Sequence, residues 1–301
     1  MKRLMIFATF VVAALGLLAS FAGAAGPNTV GPITFEPSQG YVIGTIDGQQ
    51  GWMKTGAYDV AVANVATFPD AAGYGFGTQA LRLSDAVTSG GFGDQTFSPG
   101  LASPAGESPL NTHFEATFKI GTTQASTQSG LHMSVSPDNG SGARMSYLRF
   151  EDQADGVHVF FDDVTDPGPI RTVANFNETD IATLNWTSAH TIRFSINFKS
   201  GQGNDVVKIF IDGKKKATGT TWEDYYRYDP EQAAGNGNQV SPVSKLIFRE
   251  SGTATPANSG NGFLVDNVTL TASARDHNDD NNNGDNDDND DNDGQNDHHG
   301  H

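Results

Sequence analysis

The 301-residue chain contains no cysteine. That absence excludes disulfide staples, thiolate metal centres and a cysteine nucleophile, so burial, hydrogen bonds and bound cations must hold the fold together. Basic residues are scarce as well: 18 Lys and Arg stand against 35 Asp and Glu, a formal charge of −17. Phosphate backbones and anionic bilayers repel such a chain at low salt, which argues against nucleic acid and membrane surfaces as partners. Long helical periodicity is nearly missing. Beyond the N-terminus no apolar run approaches the roughly 20 residues that a membrane span requires.

What the chain does have is 35 glycines, 13 prolines and many short alternating runs. In TIRFSINFKS, Ile192, Phe194, Ile196 and Phe198 alternate with Thr191, Arg193, Ser195 and Asn197, giving one apolar and one wet face. VVKIFI follows and ends on Asp212-Gly213, a hairpin turn signal. Residues 113–120 oppose Phe114, Ala116, Phe118 and Ile120 to His113, Glu115, Thr117 and Lys119. Further strands are predicted at 33–36, 58–65, 80–84, 95–97, 131–135, 145–150, 157–161, 245–249 and 263–271, with turns at 137–140 and 154–156. Thr221-Trp222-Glu223-Asp224 carries a capping residue with an acid three positions on and predicts one helical turn ending near Gly235. No fixed-period repeat occurs, which argues against propellers and solenoids.

The composition divides the chain into four parts. Lys2 and Arg3, an apolar stretch at 4–18 and Ala22-Gly23-Ala24 read as a secretory signal peptide over 1–24, so the mature protein is expected to be secreted or at the cell surface, with no membrane insertion after cleavage. Residues 25–32 read as a linker. Residues 33–274 read as one sandwich, large enough to bury roughly three quarters of its unfolded surface. Residues 275–301 are Asp- and Asn-rich, with 10 of the 35 acidic residues between Asp276 and Asp297 and nothing apolar to bury, so this tail reads as disordered. The expected class is all-β: an antiparallel two-sheet jelly-roll sandwich with one short helical turn.

The segments ITFEP (33–37), IDGQQGW (46–52), WTSAHTI (186–192), FIDGK (210–214) and FLVDNVTL (263–270) resemble the concanavalin A-like lectin/glucanase superfamily, including its laminin-G-type sandwiches. The resemblance implies a jelly roll and a glycan-associated role; the superfamily holds glycosidases, polysaccharide lyases and binding modules. Its glucanases set carboxylates in a Glu-x-Asp-x-x-Glu pattern on one strand, so that residues two apart bracket one glycosidic bond. Here Glu151, Asp152 and Asp155 come nearest, and no Glu follows. Its lyases use a Tyr/His pair with Arg neighbours. Tyr147, Arg149, His132 and His158 are present without the lyase motif. The expected function is therefore a non-catalytic module recognising polysaccharide or extracellular matrix polymer. The alternatives are a polysaccharide-cleaving enzyme or a structural surface protein with a divalent-cation-binding tail.

Three sets of residues are candidates for that chemistry. Trp222, Tyr225, Tyr226 and Tyr228, with Arg227 beside them, could stack on sugar rings or pack as ordinary core. Arg149, Arg193 and His132 fall on wet strand faces, where they could line a cleft or stand apart in solvent. Glu36 and Asp266, near the first and last strands, could share one structural Ca²⁺ through hard oxygen ligands, or serve only as a turn acid and an edge acid. The tail lacks a helix-loop-helix calcium signature but offers weak sites for divalent cations, and His298, His299 and His301 add ligands for softer metals. Asn139, Asn177, Asn185 and Asn267 each begin an Asn-x-Ser/Thr sequon.

Overall fold

The computed structural model describes residues 28–107, 109–165, 173, 175–231, 242–250 and 252–274. The predicted signal peptide and the tail at 275–301, with His298, His299 and His301, lie outside the described residues.

Alternation writes itself directly into two antiparallel sheets. The nine-stranded sheet runs β14 (Lys214–Gly219), β13 (Val206–Ile211), β12 (His190–Asn197), β7 (His113–Thr122), β16 (Phe263–Ser273), β5 (Gln79–Ser84), β4 (Asp59–Asn64) and β2 (Gly44–Thr45), with β1 (Thr29–Ile33) also paired to β16. The seven-stranded sheet runs β11 (Asn175–Leu184), β10 (Gly156–Thr165), β9 (Leu148–Gln153), β8 (His132–Asp138), β15 (Lys245–Arg249), β6 (Gln95–Phe97) and β3 (Met53–Thr55). Register places Ile196 opposite Phe114 and Ile192 opposite Phe118, so the predicted apolar rows line one face and are sealed from water. Phe118 then crosses the sandwich, with its ring 6.4 Å from Phe150 and 5.9 Å from Phe248 of the other sheet. The expected all-β two-sheet sandwich is the fold observed.

Side-chain clasps explain the motifs that carried the resemblance. Trp186 Nε1 donates to Asp152 Oδ1 at 2.8 Å, tying one sheet to the other. Asp212 accepts from the Thr191 backbone at 2.8 Å and pairs with His190 Nδ1 at 2.7 Å, locking the β12–β13 hairpin. Asp212 and Gly213 both have positive φ, 51° and 79°, as a primed two-residue turn demands.

Three expectations need correction. The segment read as a linker enters the sheet, because Thr29–Ile33 is β1, and the chain leaves the ladder at Ile33 where strand 33–36 was expected. Phe35 adopts φ 54° and turns its buried ring into the core instead of continuing the strand. β11 and β14 had no apolar alternation to betray them. Both are edge strands with mostly exposed polar side chains, and Lys214, Lys215 and Lys216 on β14 are the kind of residues that blunt an open edge. The helical turn forms as α1 (Glu223–Tyr228) and stops at Tyr228, short of Gly235.

Candidate functional site

Along the seven-stranded sheet, the residues that alternate with the core row point outward, away from the second sheet. β8 presents His132, Ser134, Ser136 and Asp138; β9 presents Arg149 and Glu151; β15 presents Arg249, opposite Ser134. Tyr147, one step before β9, shares that outer face. Arg249 is only 4% exposed, and its Nε and Nη1 have no hydrogen-bond partner among the described residues. Burial, with Arg144 close by, lowers its guanidinium to about 10, and the Tyr147 hydroxyl is its hydrogen-bonding neighbour. Arg144 Nε is equally orphaned, its guanidinium 5.6 Å from the Trp222 ring. Beside these donors stand orphaned acceptors: Asp138 Oδ2 and Asp162 Oδ1, with the Ser136 hydroxyl also unmatched. Burial and the neighbouring Glu178 and Asp163 push Asp162 up to about 6.

Phe92 lies over Arg249 on this face. Its ring is 70% exposed and lies 4.5 Å from the Arg249 guanidinium, on a loop with Gly90, Gly91 and Gly93 around it. Neither Arg249, Arg144 nor Phe92 was singled out from sequence. A single signal was available: SGGFGDQ strands one large aromatic among glycines, where nothing local can bury it.

The predicted aromatic cluster assembles, but as a wall of this pocket and not an open platform. Trp222 is 6% exposed, stacks on Tyr147 at 5.5 Å and 20°, meets Phe176 and Tyr225 edge-on, and donates Nε1 to the Asp162 carbonyl at 2.9 Å. Tyr226 packs against the main core, and burial pushes its hydroxyl up to about 12. Arg227 bridges Glu223 and Glu107; Tyr228 hydrogen-bonds Gln202, and Tyr225 donates to Glu231.

The expected arginine cleft does not form as drawn. Arg193 lies on the nine-stranded sheet, paired with Glu115 at 2.9 Å and 3.6 Å above the Phe210 ring, on the opposite side of the sandwich from Arg149. Arg149 is consumed by Glu178 and Glu151 and lies 4.0 Å from the Phe160 ring; those carboxylates hold its charge firmly. His132 does share the pocket's sheet face, with Nδ1 2.9 Å from the Gly130 carbonyl. Glu151 and Asp152, adjacent on β9, point to opposite faces, Asp152 inward to Gln128 and Trp186, so they cannot bracket one glycosidic bond.

Glu36 and Asp266 do come together. Glu36 accepts from the Thr78 and Gln79 backbones and the Thr78 hydroxyl. Asp266 is 1% exposed with Oδ1 orphaned, and burial, with Glu36 nearby, pushes it up to about 7. Gly77 stands between them: it hydrogen-bonds Asp266, and a Cβ there would fall 2.0 Å from Glu36 Oε1. The Glu36 carboxylate itself fills the space over Gly77 with both oxygens satisfied, so the oxygen of the pair without a donor is Asp266 Oδ1.

Behind the aromatic wall, Glu223 is fully buried, and burial with Asp205 nearby pushes it from 4.5 up to about 7, against the opposing pull of Arg227. The unfolded chain releases that proton near 4.5, whereas the native state keeps it to about 7. Stability is therefore expected to fall as pH rises across that window, and Glu223→Gln should flatten the slope of Tm against pH. An unchanged slope in the variant would exclude Glu223 as its source.

No protein-family model matches the chain, and no curated protein does. Solved structures that it resembles include an endo-β-1,4-glucuronan lyase from Trichoderma reesei (12% identity, TM-score 0.44, 77% of this chain and 94% of that one). An alginate lyase from Pseudomonas aeruginosa gives 9% identity and TM-score 0.38 over 64% of this chain and 83% of that one. A sialidase gives 9% and 0.40 over 74% of this chain, which spans only 17% of the sialidase. At these identities no residue of the site is carried over from them. Among the described residues no helix is long and apolar enough to cross a membrane.

Proposed function

We propose that the outer face of the seven-stranded sheet binds a carboxylate-bearing glycan, with Arg249 as the anchor. The observation that carries this reading is the two orphaned, buried nitrogens of Arg249, Nε and Nη1, which find no acceptor among the described residues. A sugar acid matches both halves of the pocket: its carboxylate takes the guanidinium donors of Arg249 and Arg144, and its hydroxyls donate to Asp138 and Asp162. Binding requires the Phe92 ring to swing off Arg249, and the surrounding glycines give that loop the freedom to do so. The overall negative charge does not forbid it. Charges elsewhere on the body are screened beyond about 10 Å at 0.1 M salt, while the arginine contact acts at hydrogen-bond range. Affinity electrophoresis in gels containing alginate, polygalacturonate or a neutral glucan tests the proposal; retardation by the uronates but not the glucan is expected, and equal mobility in all three would remove it.

A lyase reading is favoured by one contact, the Tyr147 hydroxyl beside Arg249 on a face that also holds His132. Cleavage by elimination would release an unsaturated uronate, detectable by its ultraviolet absorbance during incubation with the same polymers. A flat trace keeps the module non-catalytic.

We further propose that Glu36 and Asp266 hold a structural Ca²⁺ which joins the N-terminal segment to the last strand. At a calcium concentration about 100 times its Kd the ion would add about 2.7 kcal/mol, or roughly 5–10 °C in Tm for a body of this size. Chelation should lower Tm in the wild type by about that much more than in Asp266→Asn; equal responses would count against the site.

A further inference from the structure

We propose that Asp85 and Glu250 form a second, separate calcium site, buried at the end of the sandwich directly behind Arg249. Asp85 follows β5 and Glu250 follows β15, and both are fully buried. Three of their four carboxylate oxygens, Asp85 Oδ2 and both oxygens of Glu250, have no hydrogen-bond partner among the described residues. The fourth, Asp85 Oδ1, accepts from Asn258 Nδ2 at 2.8 Å. Asp85 is the foremost charged neighbour of Glu250, ahead of Arg249 and Asp94.

Asp94, in the same corner and likewise without exposed surface, shows how this chain satisfies a buried carboxylate with its own donors. It takes the Ala57 and Ser89 backbone N–H groups and the Ser89 hydroxyl at 2.5–2.9 Å. Asp85 and Glu250 have no such cradle. His132 Nδ1 is 3.7 Å from Asp85 Oδ2 but only 2.9 Å from the Gly130 carbonyl, and Arg249 offers Glu250 no bond through Nε or Nη1. Three carboxylate oxygens stripped of water and of donors are costly to leave ionised, at several kcal/mol per uncompensated charge. A divalent cation between them removes that cost. The carboxylate donors are hard oxygens, with the His132 ring 3.7 Å from Asp85 Oδ2 and turned to the Gly130 carbonyl, a set that suits Ca²⁺ better than softer metals. No three Asp, Glu or His side chains converge on one point among the described residues, so backbone carbonyls and water would have to complete the shell.

The site would pin two loops that flank the proposed glycan pocket. The loop of residues 85–94 carries Phe92, and that of 250–262 carries Asn258; they already meet through Thr255 N to Asp85 O at 2.9 Å and Glu250 N to Asp94 O at 3.2 Å. The inference goes beyond the glycan reading and stands without it.

Calorimetric titration of the full-length protein with Ca²⁺ tests it. Glu250→Gln and Asp85→Asn, each nearly isosteric, are expected to bind one tightly held Ca²⁺ fewer per chain than the wild type, with near-ultraviolet circular dichroism reporting whether the variants keep the native core. Asp266→Asn, with Asp85 and Glu250 intact, is expected to retain the ion that those variants lose. Wild-type stoichiometry and affinity in Glu250→Gln would overturn the proposal and leave a shared proton as the link between the carboxyls. Complete loss of tight Ca²⁺ binding in Asp266→Asn would overturn it equally. If Asp266→Asn binds as the wild type does while Glu250→Gln loses one ion, the Glu36–Asp266 site fails and this one stands.

Discussion

Replacing Arg249 with Met is expected to weaken binding of a uronate polymer by roughly 10- to 100-fold, the loss of one charge-assisted hydrogen bond worth about 1.5–3 kcal/mol. The same change should leave Tm unchanged or raise it. Arg249 is buried with two orphaned N–H groups and a guanidinium already lowered to about 10, so in the free protein its charge is held at a cost and not in a stabilising pair. Methionine keeps the length of the side chain and removes the desolvated charge. Opposite signs in binding and in stability are what separate an anchor kept for its ligand from a residue kept for the fold. A large drop in Tm together with intact binding would show that Arg249 holds the sheet and that the glycan, if bound, sits elsewhere. Phe92→Ala provides the complement: with the ring gone from its place over Arg249, association with the polymer should speed up, measured by surface plasmon resonance.

Phe118→Ala is expected to destabilise the domain by about 3–5 kcal/mol, since large aromatic truncations in a sealed core lose both transfer free energy and packing. The position is central. Phe118 is fully buried on β7, opposite Ile192 of β12, and its ring meets Phe150 and Phe248 of the facing sheet. It is therefore one of the side chains that make two sheets into one body, and no disulfide shares the task. Against a typical stability of 5–15 kcal/mol, the loss could unfold much of the protein at room temperature. Urea titration followed by tryptophan fluorescence gives the value; a cost below about 1 kcal/mol would mean that the sheets are held together elsewhere. Cutting a solvated ring on the outer face, such as Phe92, should by contrast leave the urea midpoint close to that of the wild type.

The period-two rows at 113–120 and 191–198 specified their own strands, faces and burial, because a strand's side chains alternate whatever it pairs with. The Asp212-Gly213 turn was equally legible, since its backbone conformation is a local property of those two residues. Edge strands β11 and β14 were not legible: their polar side chains face solvent, and only backbone pairing to a neighbour makes them strands.

The sites divide in the same way. Clustering in sequence pointed to Trp222 and its tyrosines, yet tertiary packing turned the tryptophan's face onto Tyr147 and made it a wall. Arg149 and Arg193 read alike as outward-facing charges, and the fold put them on opposite sides of the sandwich, each beside a carboxylate that no local pattern could announce. The importance of Arg249, Asp85 and Glu250 rests on which groups are missing around them, and that depends on residues brought from far along the chain. Local periodicity acts over two to four residues and needs no partner, so the sequence alone determined the sandwich. Desolvation and hydrogen-bond satisfaction are sums over everything nearby in space, so only the tertiary structure could decide which charges are paired and which polar atoms are left without a partner.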